Sequence, residues 1–71
     1  MENLNEIAKE FVSMHENCRE KAYRNAIKLF KDIKDLDKCN KIINLVADID
    51  ILIGFTMLNA VHTGIFSGYI K

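Results

Sequence analysis

The chain divides at a short polar stretch, Lys34-Asp35-Leu36-Asp37-Lys38. Asp35 or Asp37 can cap a following helix, because a carboxylate accepts hydrogen bonds from the free N–H groups of a first helical turn. The stretch contains no glycine or proline to enforce a turn, so one continuous helix remains an alternative. The pattern predicts a turn at about residues 35–38.

The half before this turn has the periodicity of one long amphipathic helix over about residues 3–35. Apolar or small residues follow one another at steps of three or four, which places them on one face. Asn3 and Glu6 form a capping-box pattern at the start. The predicted face consists of Leu4, Ala8, Phe11, His15, Cys18, Ala22, Ala26, Leu29, Ile33 and Leu36.

The half after the turn predicts a second helix over about residues 38–67, with Gly68 as its C-terminal stop. One broad apolar face holds Cys39, Ile42, Ile43, Val46, Ile53, Met57, Ala60, Val61 and Ile65. The fold class is therefore predicted to be all-α, as a long two-helix hairpin in one domain covering residues 1–71.

A lone hairpin of this kind would leave a second set of apolar side chains in water. Exposed apolar surface of that extent usually marks an interaction site. We expect the hairpins to bury it by forming a homodimer or a higher closed oligomer, giving a helical bundle. The predicted oligomer interface is Val12, Tyr23, Ile27, Phe30, Leu52, Phe55, Phe66 and Ile70.

Charge and cysteine content narrow the function classes. The chain of 71 residues carries ten basic and ten acidic residues. It therefore lacks the excess of basic residues that is typical of nucleic-acid-binding proteins, and we expect no nucleic-acid partner. Charged residues run through the first thirty positions, which is unlike a signal peptide and predicts a cytoplasmic protein. Cys18 and Cys39 are too far apart in a hairpin for an intrachain disulfide, while a bridge between subunits stays open.

Five polar residues are candidates for binding. His15 and Asp50 each lie within an otherwise apolar face. We interpret Asp50 as a buried hydrogen-bonded residue that fixes register or oligomer state, and His15 as a hydrogen-bonded core histidine. Asn59, His62 and Thr63 share the polar side of the second helix and form a candidate patch for a partner or ligand.

The familiar catalytic motifs are missing from the sequence, so we expect no enzyme activity and no cofactor. There is no phosphate-binding glycine loop, HExxH, CxxC or nucleophile elbow. His15 and Cys18 share a helical face, but two ligands do not make a structural zinc site, so no metal is expected.

The sequence therefore favours a small, non-enzymatic, oligomeric binding protein that contacts another protein as an adaptor or inhibitor. One alternative is a tail-anchored or pore-forming membrane protein, because residues 51–70 contain no Asp, Glu, Lys or Arg and carry Gly64 and Gly68 at GxxxG spacing. Another is an oligomer that sequesters small molecules between subunits near His15, Asp50, Asn59 or His62.

Overall fold

The computed structural model describes residues 3–70, which form four helices and no strand. The helices are α1 (Leu4–His15), α2 (Arg19–Ile33), α3 (Leu36–Ile49) and α4 (Ile51–Ser67). The prediction of an all-α chain is confirmed.

The prediction of two uninterrupted helices is wrong, because each of them is broken once. The first breaks at residues 16–18 and the second at Asp50. An unbroken helix over residues 3–35 would be about 50 Å long at ~1.5 Å per residue. The longest dimension of the folded chain is only 29 Å. The oligomeric bundle was inferred from the hairpin and remains untested.

The central turn lies within the predicted polar stretch. Lys34 adopts the left-handed conformation with φ 62°, and its N–H donates to the Phe30 carbonyl at 2.8 Å, which closes α2. The Asp35 carboxylate accepts hydrogen bonds from the N–H groups of Asp37 at 2.9 Å and Lys38 at 3.3 Å, so Asp35 is the residue that caps α3.

The two breaks let the chain fold back and cover its own apolar faces. Helix α1 packs on α3, while α2 and α3 both pack on α4. The centre is filled by large, fully buried side chains from α2, α3 and α4. These are Phe30, Ile42, Val46, Ile53, Met57 and Val61, together with Cys39.

This packing overturns part of the predicted oligomer interface. Val12, Phe30 and Ile70 were expected to be exposed in a single chain, but all three are buried in its core. Tyr23 and Ile27 are partly buried against the same core. The hairpin geometry behind that prediction left no helix to cover these side chains, whereas four shorter helices do.

Two glycines of the uncharged segment have structural uses within the chain. A Cβ atom on Gly64 would collide with the Ile70 side chain, so this glycine lets the C-terminal residues fold back on α4. Gly68 ends α4 with φ 89°, and its N–H donates to the Gly64 and Ile65 carbonyls. Both positions of the GxxxG spacing are thus explained by how α4 ends.

Candidate protein-binding face on the fourth helix

One side of α4 is exposed, mostly apolar and without Asp, Glu, Lys or Arg. We call it the outer face of α4, and it consists of Ile51, Leu52, Phe55, Asn59, His62, Ile65 and Phe66, all of which are exposed. Phe66 is 96% exposed, Phe55 58% and Leu52 51%. Such large aromatic and aliphatic side chains are unusual at these exposures when they lie together on one helix.

The outer face has the spacing of a coiled-coil seam. Its central residues are Leu52, Phe55, Asn59, His62 and Phe66, which follow one another at alternating steps of three and four. This heptad pattern is the one by which a helix presents a continuous stripe to a second helix. Ile51 and Ile65 lie beside the stripe. Together with Leu58, they are spaced by seven residues, about two helical turns, so the three line up along one side of it.

The opposite side of α4 fixes the outer face in place. Ile53, Met57, Ala60 and Val61 are at most 2% exposed and pack into the core. At its N-terminus the helix is capped by Asp50, and at its C-terminus it is closed by Gly68. The outer face is therefore carried by a helix whose ends and inner side are both anchored.

The polar groups of the outer face are two neighbouring side chains, Asn59 and His62. They lie one turn apart at the middle of the stripe, with Phe55 before them and Phe66 after them. An amide and an imidazole can each donate and accept hydrogen bonds. The face therefore offers apolar contact at both ends and hydrogen bonding at its centre.

Thr63, grouped with these two by sequence, has a structural role. Its hydroxyl donates to the Asn59 carbonyl at 3.1 Å, and the Tyr23 hydroxyl donates to Thr63 Oγ1 at 2.8 Å. This pair of bonds ties α2 to α4, and it occupies the Thr63 hydroxyl within the chain.

His15 is in the core, 3% exposed, and both of its ring nitrogens are hydrogen-bonded. Asn25 Nδ2 donates to Nε2 at 2.7 Å, so the proton lies on Nδ1, which donates to the Phe11 carbonyl at 2.8 Å. The ring also packs on the Phe11 ring, with centroids 4.3 Å apart. His15 thus joins the end of α1 to α2 and has no free nitrogen for acid–base chemistry.

Asp50 has a different role from the one that its place in an apolar pattern suggested. Its carboxylate accepts hydrogen bonds from the N–H groups of Leu52 at 3.1 Å and Ile53 at 3.3 Å, which makes it the N-cap of α4. The interpretation of Asp50 as a buried register residue is wrong, because Asp50 is only partly buried and lies at a break where a continuous helix was expected. His15 and Asp50 form no pair.

Of the predicted interface residues, Leu52, Phe55 and Phe66 are the three that the structure brings together on an exposed surface. Sequence reasoning missed Ile51 and placed Ile65 on the buried side. The seven-residue spacing of Ile51, Leu58 and Ile65 was the available signal. Sequence reasoning also missed Met14 on α1, which is 71% exposed.

Two open clefts accompany these features. One of about 380 Å³ lies between α1 and α2 and is lined by Ile7, Glu10, Phe11, Met14, His15, Asn25 and Leu29. The other, of about 370 Å³, lies between α3 and α4 and is lined by Asn40, Ile43, Asn44, Ala47, Ile51, Gly54, Phe55 and Leu58. The second cleft shares Ile51 and Phe55 with the outer face and extends it towards α3.

The two thiols differ in environment. Cys18 is exposed and Cys39 is buried, and neither is in a disulfide. Burial, reinforced by the nearby Asp35 carboxylate, raises the pKa of Cys39 to about 11. Within residues 3–70, no three His, Cys, Asp or Glu side chains are close enough together to hold a metal ion. None of the helices in that range combines the length and hydropathy needed to cross a bilayer.

Comparison with known proteins adds no assignment: no protein-family model, no curated protein and no solved structure matches this chain. The function has to be argued from the outer face of α4 itself.

Proposed function

We propose that this chain is a small, non-enzymatic, oligomeric binding protein that works through protein–protein contacts, as an adaptor or inhibitor, and that the outer face of α4 is a surface through which it associates with a protein, either a second copy of itself or another chain. The observation that carries the proposal is the exposure of Leu52, Phe55 and Phe66 in one stripe with Asn59 and His62 at its centre. A face of this composition can bury apolar area and form hydrogen bonds.

The size of the face supports a binding role. With ~200 Å² for a phenylalanine and somewhat less for each aliphatic residue, its apolar side chains present on the order of 600 Å² to water. Patches of that size are about as large as the largest patch on a typical monomer, which is often functional. Aromatic side chains such as those of Phe55 and Phe66 are enriched in the interfaces of protein complexes.

The geometry of the face favours a helix as the element that binds it. Alternating steps of three and four generate knobs that insert between side chains of a facing helix. The cleft between α3 and α4 adjoins this stripe and widens the surface on one side. The partner segment is therefore expected to be an amphipathic helix whose apolar side faces α4.

Site-specific photo-crosslinking tests the proposal in the cells that make the protein. The crosslinking amino acid p-benzoylphenylalanine replaces Phe66 in one variant and Met14, the matched exposed residue on α1, in the other. We expect protein adducts from position 66 and few from position 14. Absence of any adduct at position 66, with another protein or with the chain itself, would contradict the proposal.

The cleft between α3 and α4 supports a second candidate, sequestration of a small apolar ligand within one chain rather than between subunits. Its walls are mostly apolar, while Asn40 and Asn44 supply polar groups. A ligand that binds only the native state raises the melting temperature. A thermal-shift screen of small molecules should find such a ligand for the wild type and lose the shift when Leu58→Glu places a charge in the cleft.

A further inference from the structure

We propose that the occupant of the outer face of α4 is a second copy of this chain, docked antiparallel with Asn59 of each copy opposite His62 of the other. This inference rests on the proposed function, because it names the partner of that same surface. It follows from the order of side chains along the stripe, from the surface area and from the absence of charge.

The order of side chains makes the stripe complementary to itself when one copy is reversed. Asn59 and His62 lie symmetrically about the point between residues 60 and 61, and Phe55 and Phe66 lie symmetrically about the same point. A single antiparallel register therefore sets both Asn59–His62 pairs and both Phe55–Phe66 pairs opposite each other. A twofold axis generates each pair twice.

The paired groups fit chemically. An amide and an imidazole complement each other as donor and acceptor, so each central polar pair can be hydrogen-bonded as it is buried. Aromatic rings facing one another on both sides add contact area and a favourable ring–ring geometry. A parallel pair would instead set His62 against His62 and align the two helix dipoles side by side in the same direction, which is repulsive.

Full burial of the face would reach the area that a specific dimer needs, and the lack of acidic and basic side chains disfavours lipid, nucleic-acid and oppositely charged occupants. Two faces on the order of 600 Å² each reach the lower end of the range for specific protein interfaces. The outer face has no Lys or Arg, which anionic lipid headgroups and nucleic acids require for attraction. It also has no Asp or Glu to recruit a basic partner.

The first experiment measures the mass of the purified chain by light scattering on a size-exclusion column over a wide range of concentrations. We expect a dimer for the wild type. Phe66→Glu should weaken dimerisation at least about tenfold, since it buries an unpaired charge in the interface. The control, Met14→Glu, should leave the dimer intact. Because both side chains are largely exposed in the single chain, circular dichroism should show both variants folded.

The second experiment fixes the register by disulfide crosslinking in a Cys18→Ser background, where the remaining Cys39 is buried. In the antiparallel dimer position 55 lies opposite position 66 of the second copy, while the two copies of position 55 are about 16 Å apart along the helices. A mixture of Phe55→Cys and Phe66→Cys chains should therefore crosslink, and Phe55→Cys alone should not. Crosslinking of Phe55→Cys alone would overturn the antiparallel register.

A wild type that stays monomeric at every concentration would overturn the second copy as the occupant. Photo-crosslinking from position 66 to a different protein would in that case still uphold the proposed function, so the two failures are distinguishable. A monomer that sediments with phosphatidylcholine vesicles, and loses this binding on Phe66→Glu but not on Met14→Glu, would assign the face to a lipid surface and overturn the inference.

Discussion

Replacement of Asp50 by alanine should destabilise the protein, because it removes the N-cap of α4. The Asp50 carboxylate caps α4 through hydrogen bonds of 3.1 Å and 3.3 Å to the N–H groups of Leu52 and Ile53. Loss of an aspartate N-cap costs about 1 kcal/mol, and loss of its charge at the positive end of the helix dipole adds about 0.3–1 kcal/mol. The free energy of unfolding should therefore fall by about 1–2 kcal/mol for Asp50→Ala.

The magnitude is measurable in a chain of this size. A loss of 1 kcal/mol lowers the melting temperature by about 4–8 °C in a domain of 60–100 residues. Urea denaturation followed by far-UV circular dichroism gives the free energy directly. All variants must be compared at one protein concentration, because self-association would make the apparent stability depend on concentration.

Two further variants separate the contributions. Asp50→Asn keeps an oxygen acceptor and removes the charge, so it should lose only a few tenths of a kcal/mol to about 1 kcal/mol. Asp48→Ala, which removes an exposed carboxylate in the last turn of α3, should change stability by less than about 0.5 kcal/mol. An Asp50→Ala protein as stable as the Asp48→Ala control would refute the capping role. Asp50→Leu should likewise lower the stability of the protein. If Asp50 were a buried register residue, the same substitution would keep or raise the stability.

Three other substitutions or conditions test the packing. Gly54→Ala should lose about 1–3 kcal/mol in urea denaturation despite its better helix propensity, because its Cβ would lie 2.7 Å from the Ala47 Cβ and 2.8 Å from the Ala47 Cα. Tyr69→Phe should be neutral or stabilising in the same assay, since the buried Tyr69 hydroxyl has no hydrogen-bond partner among residues 3–70. Because burial raises the pKa of Cys39 from 9.0 to about 11, its neutral thiol supports the fold fully below pH 9, and that contribution should be lost as the pH rises towards 11. Iodoacetamide at pH 8 should accordingly modify Cys18 and spare Cys39 in the folded chain, and rapid labelling of both would contradict the packing around α3.

The helical class and much of the core could be predicted from periodicity, but the break at Asp50 could not. Asp50 ends α3 and caps α4 as a single residue. The apolar spacing continues across it, for Val46 and Ile53 are both buried and lie seven residues apart. Because the helical spacing of the apolar residues is the same on both sides of Asp50, the periodicity of the sequence does not reveal the break. The available signal was an aspartate directly before an uncharged apolar run, which is an N-cap pattern.

The break between α1 and α2 has almost no local signal. Cys18 is the N-cap of α2 in an extended conformation, yet its side chain makes no capping hydrogen bond. The break is explained by tertiary packing: with the chain turned at residues 16–18, α1 packs on α3 and buries Phe11 and Val12. Local propensity is routinely overridden by such packing. The place of His15 in the core agrees with its interpretation from sequence. Its hydrogen-bond partners, and the role of Thr63, depend on how the helices pack and could not be read from the sequence.

Part of the candidate site could be predicted from the sequence, because α4 contains more apolar residues than one buried face requires. A helix needs only one apolar side to fold onto a core. In α4, Ile53, Met57 and Val61 provide that side, and they are buried within the single chain.

The outer face of α4 adds nothing to this burial, since polar residues at Phe55 and Phe66 would leave the core unchanged and reduce the exposed apolar patch. Removing such an apolar patch from water is favourable and therefore promotes association with another surface. The folding of one chain explains the inner side of α4, and the proposed binding to a further surface would account for the outer one.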